Sequence, residues 1–196
     1  MYVSHITNIK MQQPPNNPEL YAHNTIWNFF SNPSGESVRD YIFRYNGSDQ
    51  FFSYSSRAPI IPPNESYKWS VKSIPFNPTF LTGSSFRFCS RLNTVIHTKD
   101  GFKGVIELGK KNGTFPDVSI TQFLEHRGNG SFKVDSLMIE RIRVVKFHKK
   151  DGNPVTIEGV DVVGSLTIAD PNEFTKILFR GIGKEKCYGY GMLLLN

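Results

Sequence analysis

Two runs rich in β-branched residues, SLMIERIRVVKFHKK and VTIEGVDVVGSLTI, flank the tripeptide DGN. Runs rich in Val, Ile and Thr and bounded by turn residues read as strands. Two such strands around a Gly-containing turn make a long β-hairpin. A chain with this hairpin must build a sheet and cover one face of it, and the segment after the hairpin supplies a cover. In DPNEFTKILFRGIG the spacing predicts a helix with Asp170 as N-cap and glycine at its end. YGYGMLLLN then reads as a closing strand. Upstream, FKGVIELG is a strand candidate and DVSITQFLEHRGNG a helix closed by glycine. The resulting order, β-α-β-β-α-β, is the ferredoxin-like motif.

The first half carries the same theme. Tyr2 to Ile9 alternates as a strand, MQQPPNNP is a polar, proline-rich loop, and ELYAHNTIWNFF has Leu20, Ile26, Trp27 and Phe30 at helical spacing. RDYIFRYN and QFFSYSSRAP form a hairpin around GSD, and SYKWSVKSI and SSFRFCSRLNTVIHT are two further strands. The expected fold class is α+β, two tandem ferredoxin-like domains over residues 1–98 and 99–196. The 196 residues suffice for one large domain or two small ones.

Several functions are excluded by spacing. The glycines of RGIGKEKCYGYGMLLLN suggest a nucleotide loop, but Lys184 is followed by Glu185 rather than Ser or Thr, and Lys186 stands where a dinucleotide fingerprint needs glycine. The helix-to-strand order is also reversed. No apolar run approaches the roughly 20 residues of a membrane span, and the N-terminus lacks a signal peptide's apolar region. Two cysteines build neither a disulfide framework nor a cysteine-rich zinc site; a reduced, cytoplasmic setting is the expectation. His5, His97, His126 and His148 have no paired ligand at i+3 or i+4, so no metal and no cofactor is expected. The signature of an ordinary RNA-recognition domain is missing. A net charge of +6 is compatible with a nucleic-acid partner.

Four segments, in order, resemble one family. They are MYVS, ELYAHNTIWNFFSN, RDYIFRY and GSLTIADPNEFTKILFRGIGKEKCYGYGMLLL. The chain is similar to CasE, the CRISPR RNA-processing endoribonuclease of the E-subtype Cascade complex. The resemblance implies two ferredoxin-like domains and binding of the hairpin made by each CRISPR repeat. It also implies metal-independent cleavage at the stem base by 2′-OH attack, leaving a 2′,3′-cyclic phosphate and a 5′-OH. The processed RNA and other Cascade subunits are the implied partners.

His23, four residues before Trp27, stands in the family's catalytic position. The family's tyrosine precedes that histidine by three; here Tyr21 precedes it by two, and on a regular helix the two side chains point roughly 200° apart. Either the helix begins after Tyr21, or the tyrosine is shifted, or its role is lost. Tyr21 is therefore carried as a second catalytic candidate. Candidate RNA contacts fall in three clusters: Arg141, Arg143, Lys146, Lys149 and Lys150 on the long hairpin; Arg87 and Arg91 on one strand face; and Arg180, Gly181, Gly183, Lys184, Lys186, Gly189 and Gly191 in the closing loop. Glycines there would let the chain approach a phosphate and present backbone N–H groups. A non-catalytic RNA-binding subunit and an unrelated ferredoxin-like binding module remain alternatives.

Overall fold

The computed structural model describes residues 1–10, 15–31, 39–47, 49–99, 101–148 and 152–196. The chain divides into two compact units, Met1–Pro78 with Lys186–Gly189, and Thr79–Glu185 with Tyr190–Asn196.

In the first unit β1 (Tyr2–Asn8) is followed by α1 (Pro18–Phe29), β2 (Tyr41–Tyr45), β3 (Gln50–Ser55) and β4 (Trp69–Pro75). The sheet order is β2-β3-β1-β4, and each neighbouring pair is antiparallel. This is the ferredoxin-like strand order, but the segment between β3 and β4 holds no helix. Asn17 caps α1 by accepting from the Leu20 amide at 3.0 Å, and Pro18 fills a first-turn position where no N–H is needed. Glu19, Ala22, Ile26 and Phe29 repeat every three or four residues and are buried. The three apolar ones meet Ile6, Phe43, Phe51 and Trp69 in the core of the unit.

The second unit contains β5 (Ser85–Asn93), a small hairpin of β6 (Val95–Thr98) and β7 (Gly101–Gly104), then α2 (Val105–Lys111) and α3 (Pro116–Gly128). The long hairpin β8 (Phe132–His148) and β9 (Pro154–Ile168), α4 (Pro171–Arg180) and β10 (Leu193–Leu195) come after them. Its sheet order is β10-β5-β9-β8, again ferredoxin-like when β5 is counted as the first strand. Alternation on β9 buries Val160, Val162, Leu166 and Ile168 with Phe174 and Leu178 of α4. Asp170 caps α4 as expected, accepting from the Asn172 and Glu173 amides.

Two sequence expectations are corrected here. Residues 102–109 do not form the first strand of the second sheet: 101–104 belong to the small hairpin and 105–111 are helical. The strand expected to end the first half, SSFRFCSRLN, supplies the missing element, since β5 pairs with β9 and β10. The division between units accordingly falls at Pro78/Thr79 rather than at 98/99.

Candidate functional site

His23 lies on α1 beside the buried stripe, half-exposed. Its neighbours come from the far end of the chain. The closing loop makes a short 3-10 turn, Lys186–Tyr188, which packs on α1 and β2 within the first unit. His23 Nδ1 is 3.0 Å from the Cys187 carbonyl oxygen. A carbonyl only accepts, so Nδ1 carries the proton and donates it, and in the neutral ring Nε2 keeps its lone pair. The ring of Tyr188, itself buried, lies 5.3 Å away by centroids and inclined by 52°. Burial lowers the His23 pKa from its ordinary value; the bond to Cys187 works the other way, and the positive charge of Arg39 adds to the lowering. Arg39, two residues before β2, places its guanidinium 5.6 Å from the Tyr41 ring centroid. The site is a neutral imidazole with a fixed tautomer, a free basic nitrogen and a cation nearby.

Tyr21 is not part of this group. Its ring packs toward Tyr45 and Phe51, at 5.8 and 6.4 Å between centroids. Burial raises its pKa, and its hydroxyl is engaged by Asn8 and Asp49. Because α1 begins at Pro18, Tyr21 is fully helical, and the roughly 200° separation applies.

The candidate RNA contacts sort into two kinds. Arg87, Arg141, Lys146, Arg180 and Lys184 are exposed. Arg91 is not: it is 8% exposed, and its Nε donates to Asp161 Oδ1 at 2.8 Å. Arg143 donates to the other oxygen of the same carboxylate, also at 2.8 Å. Asp161 thus ties β5 to β8 across β9. Burial works to raise the Asp161 pKa, but the two guanidiniums outweigh it and hold the carboxyl below its ordinary value. This placement makes Arg91 a part of the sheet rather than a surface cation. Lys149 and Lys150 lie outside the described residues.

The closing glycines are set differently from the sequence reading. Gly181, Gly189 and Gly191 are buried, and their N–H groups donate to the carbonyls of Ile177, Lys186 and Arg91. Gly191 combines φ +82° with a site where a Cβ would lie 2.1 Å from the Ile182 carbonyl oxygen. Gly183 alone of the four is partly exposed. The glycines let the chain fold back tightly; they do not offer a row of amides to a phosphate. Lys186 sits half-buried in the turn that meets His23, and Lys184 places Nζ 5.4 Å from the Phe102 ring centroid.

Sequence reasoning did not single out Arg39, Cys187 and Tyr188. Cys187 acts through its backbone, which no side-chain pattern reveals. Tyr188 was visible only as part of a glycine-rich loop, and Arg39 only as the first residue of RDYIFRY. Among the described residues, no three His, Cys, Asp or Glu side chains converge as a metal site. No described helix is long and apolar enough to cross a membrane.

No curated protein matches the sequence. Solved structures do match in fold. Thermus thermophilus Cse3 bound to an RNA representing a pre-cleavage complex aligns with TM-score 0.76 at 17% identity, covering 100% of this chain and 98% of that one. The CRISPR-associated protein Cas6e of Escherichia coli K-12 aligns with TM-score 0.71 at 19% identity, covering 100% and 98%. A chain of E. coli Cascade bound to a PAM-containing dsDNA target aligns with TM-score 0.53 at 16% identity, again over 100% and 98%. These likenesses establish the shared two-unit ferredoxin-like fold. The family model described as "CRISPR associated protein" matches residues 1–196, so the chain belongs, over its whole length, to the CRISPR-associated protein family.

Proposed function

We propose that the chain is the endoribonuclease that processes precursor CRISPR RNA. It binds the hairpin of each repeat, cuts at the base of the stem without a metal, and keeps the product within a Cascade assembly. The observation that carries this reading is His23, with Nδ1 committed to the Cys187 carbonyl and Nε2 left basic. It is supported by a fold shared with an RNA-bound Cse3.

The chemistry closes on one imidazole. Nε2 takes the proton of the ribose 2′-OH. The 2′-oxygen attacks the adjacent phosphorus, the P–O2′ bond forms and the P–O5′ bond breaks. The proton on Nε2 is then available to the departing 5′-oxygen. The products are a 2′,3′-cyclic phosphate and a 5′-OH. Arg39, whose charge already reaches His23, stabilises the negative charge that builds on the phosphorane oxygens. Tyr21 is given no step, since its hydroxyl is turned to Asn8 and Asp49. The exposed cations Arg87, Arg141, Lys146 and Arg180 hold phosphates of the stem, whose A-form major groove is too deep for side-chain readout. Arg143 is only partly exposed and is bound to Asp161.

Incubation of the protein with a repeat-hairpin RNA in EDTA is expected to give a single cut with a cyclic-phosphate end, seen by mass spectrometry. Tight binding with no cyclic-phosphate product at any enzyme excess would replace the nuclease by a non-catalytic RNA-binding subunit.

The pH dependence is set by the direction of the His23 shift. The neutral ring is the active form, and burial lowers its pKa below 6.5. In a profile between about pH 5 and 8, kcat/KM is therefore expected to be flat above neutrality and to fall only below a midpoint under 6.5. That limb reports the free enzyme. A rate that declines as the pH rises through this range would mean that the protonated ring acts, as an acid.

A further inference from the structure

A second chemical feature stands apart from His23, wholly within the second unit. A cavity of about 550 Å³ opens between β6–β7, the start of β9 and the residues just after α4. That volume lies in the usual range for a small-molecule pocket. Phe102 lines it and is 70% exposed, an unusual state for a phenylalanine. Lys184 stands over the Phe102 ring, and Lys103 joins it on the lining. Glu158 projects in from β9, its Oε2 so near Gly104 that a Cβ there would sit 2.5 Å away. Gly104 therefore leaves room for this carboxylate. Glu107 and Glu185 also line the cavity, and Glu107 is paired with Lys111 at 3.0 Å.

The charges argue against a bare anion. Two lysines face three carboxylates, so a phosphate alone gains little here. An exposed aromatic ring with a lysine beside it instead suits the face of a nucleobase, which is neutral and stacks whatever its identity. The carboxylate then selects among bases. It only accepts hydrogen bonds, and it has two oxygens. Guanine presents two adjacent donors, N1–H and the 2-amino group. Adenine and cytosine each pair one amino group with an adjacent acceptor, and uracil has a single N–H between two carbonyls.

We propose that this cavity binds one unpaired guanine nucleotide, with the base stacked on Phe102, its N1–H and 2-amino group donated to Glu158, and its phosphate beside Lys184. The source of that nucleotide rests on the RNA-processing reading: it is an unpaired residue of the RNA that the protein handles.

The test uses the full chain and the pentanucleotides UUGUU, UUAUU and UUIUU, with inosine lacking the 2-amino group, followed by fluorescence anisotropy. UUGUU is expected to bind about tenfold tighter than UUAUU, with UUIUU between them. Phe102→Ala, at an exposed position that leaves the core intact, is expected to weaken all three by about tenfold. Glu158→Gln is expected to erase the guanine preference while leaving binding of UUAUU in place, a change of specificity that loss of folding does not produce. Equal binding of the three oligomers, or a guanine preference unmoved by Glu158→Gln, overturns the proposal. Cleavage of the repeat hairpin is measured in parallel. Cleavage without base preference removes the pocket alone, and a guanine preference without cleavage removes the nuclease reading alone.

Discussion

His23→Ala is expected to slow single-turnover cleavage of the repeat hairpin by about 10²- to 10⁴-fold, the usual worth of one general acid–base group. Binding is expected to stay within about twofold, because the imidazole acts on a proton that moves only in the transition state. The contrast with its neighbour makes the result specific. Cys187 contacts His23 through its carbonyl oxygen. Cys187→Ala keeps that carbonyl and is expected to cut within about threefold of the wild-type rate. If the thiol were the reacting group, the alanine variant would be as impaired as His23→Ala. Tight-binding but inactive His23→Ala together with active Cys187→Ala supports the assignment; unchanged cleavage by His23→Ala would sink it.

The largest expected effect on stability is at Gly191. Its φ of +82° is unfavourable for an L-residue. A Cβ there would be 2.1 Å from the Ile182 oxygen and 3.0 Å from the Ile182 carbonyl carbon, both backbone atoms, so no rotamer change relieves the overlap. The two segments are also joined by the Ile182 amide donating to the Gly191 carbonyl at 2.8 Å. Gly191→Ala is expected to cost about 3–5 kcal/mol, which for a chain of this size lowers Tm by about 10 °C or more. Gly183→Ala is the control. It has a similar φ of +78°, but its Cβ would meet only ordinary contacts, the nearest 3.6 Å from the Asn93 oxygen. Its cost is expected to be about 1–2 kcal/mol, from the backbone conformation alone. Melting curves for the two variants decide the matter: a Gly191→Ala protein that melts with the wild type removes the packing account of the loop.

These two glycines also show where sequence reading reaches its limit. A cluster of four glycines with two lysines reads equally well as a phosphate loop or as a tight fold-back. The difference lies in which atoms approach from elsewhere, here the Ile182 backbone and the Phe43 ring. The same holds for β5. Its alternation was legible, but its partners on β9 and β10 are set by long-range pairing, so it was counted with the wrong half. The short segment VIEL at 105–108 fits a strand or a helix, and periodicity over so few residues does not separate them. By contrast α1, α4 and the β8–β9 hairpin were legible because each combines a long period with a cap or a turn. Within the candidate site, His23 was singled out by the resemblance of ELYAHNTIWNFFSN to the family's first helix. The burial of Arg91 was not legible, because Asp161, its partner, lies 70 residues away on a neighbouring strand.

The turn Lys186–Gly189 belongs with the first unit, although the chain on both sides of it belongs with the second. The acceptor that fixes the His23 tautomer thus comes 164 residues after the histidine it serves. A ribosome delivers Cys187 well after His23. A growing chain can hold the histidine on its helix long before that carbonyl exists to orient it. A chain stopped before residue 187 therefore carries the histidine without the acceptor that sets its proton in place.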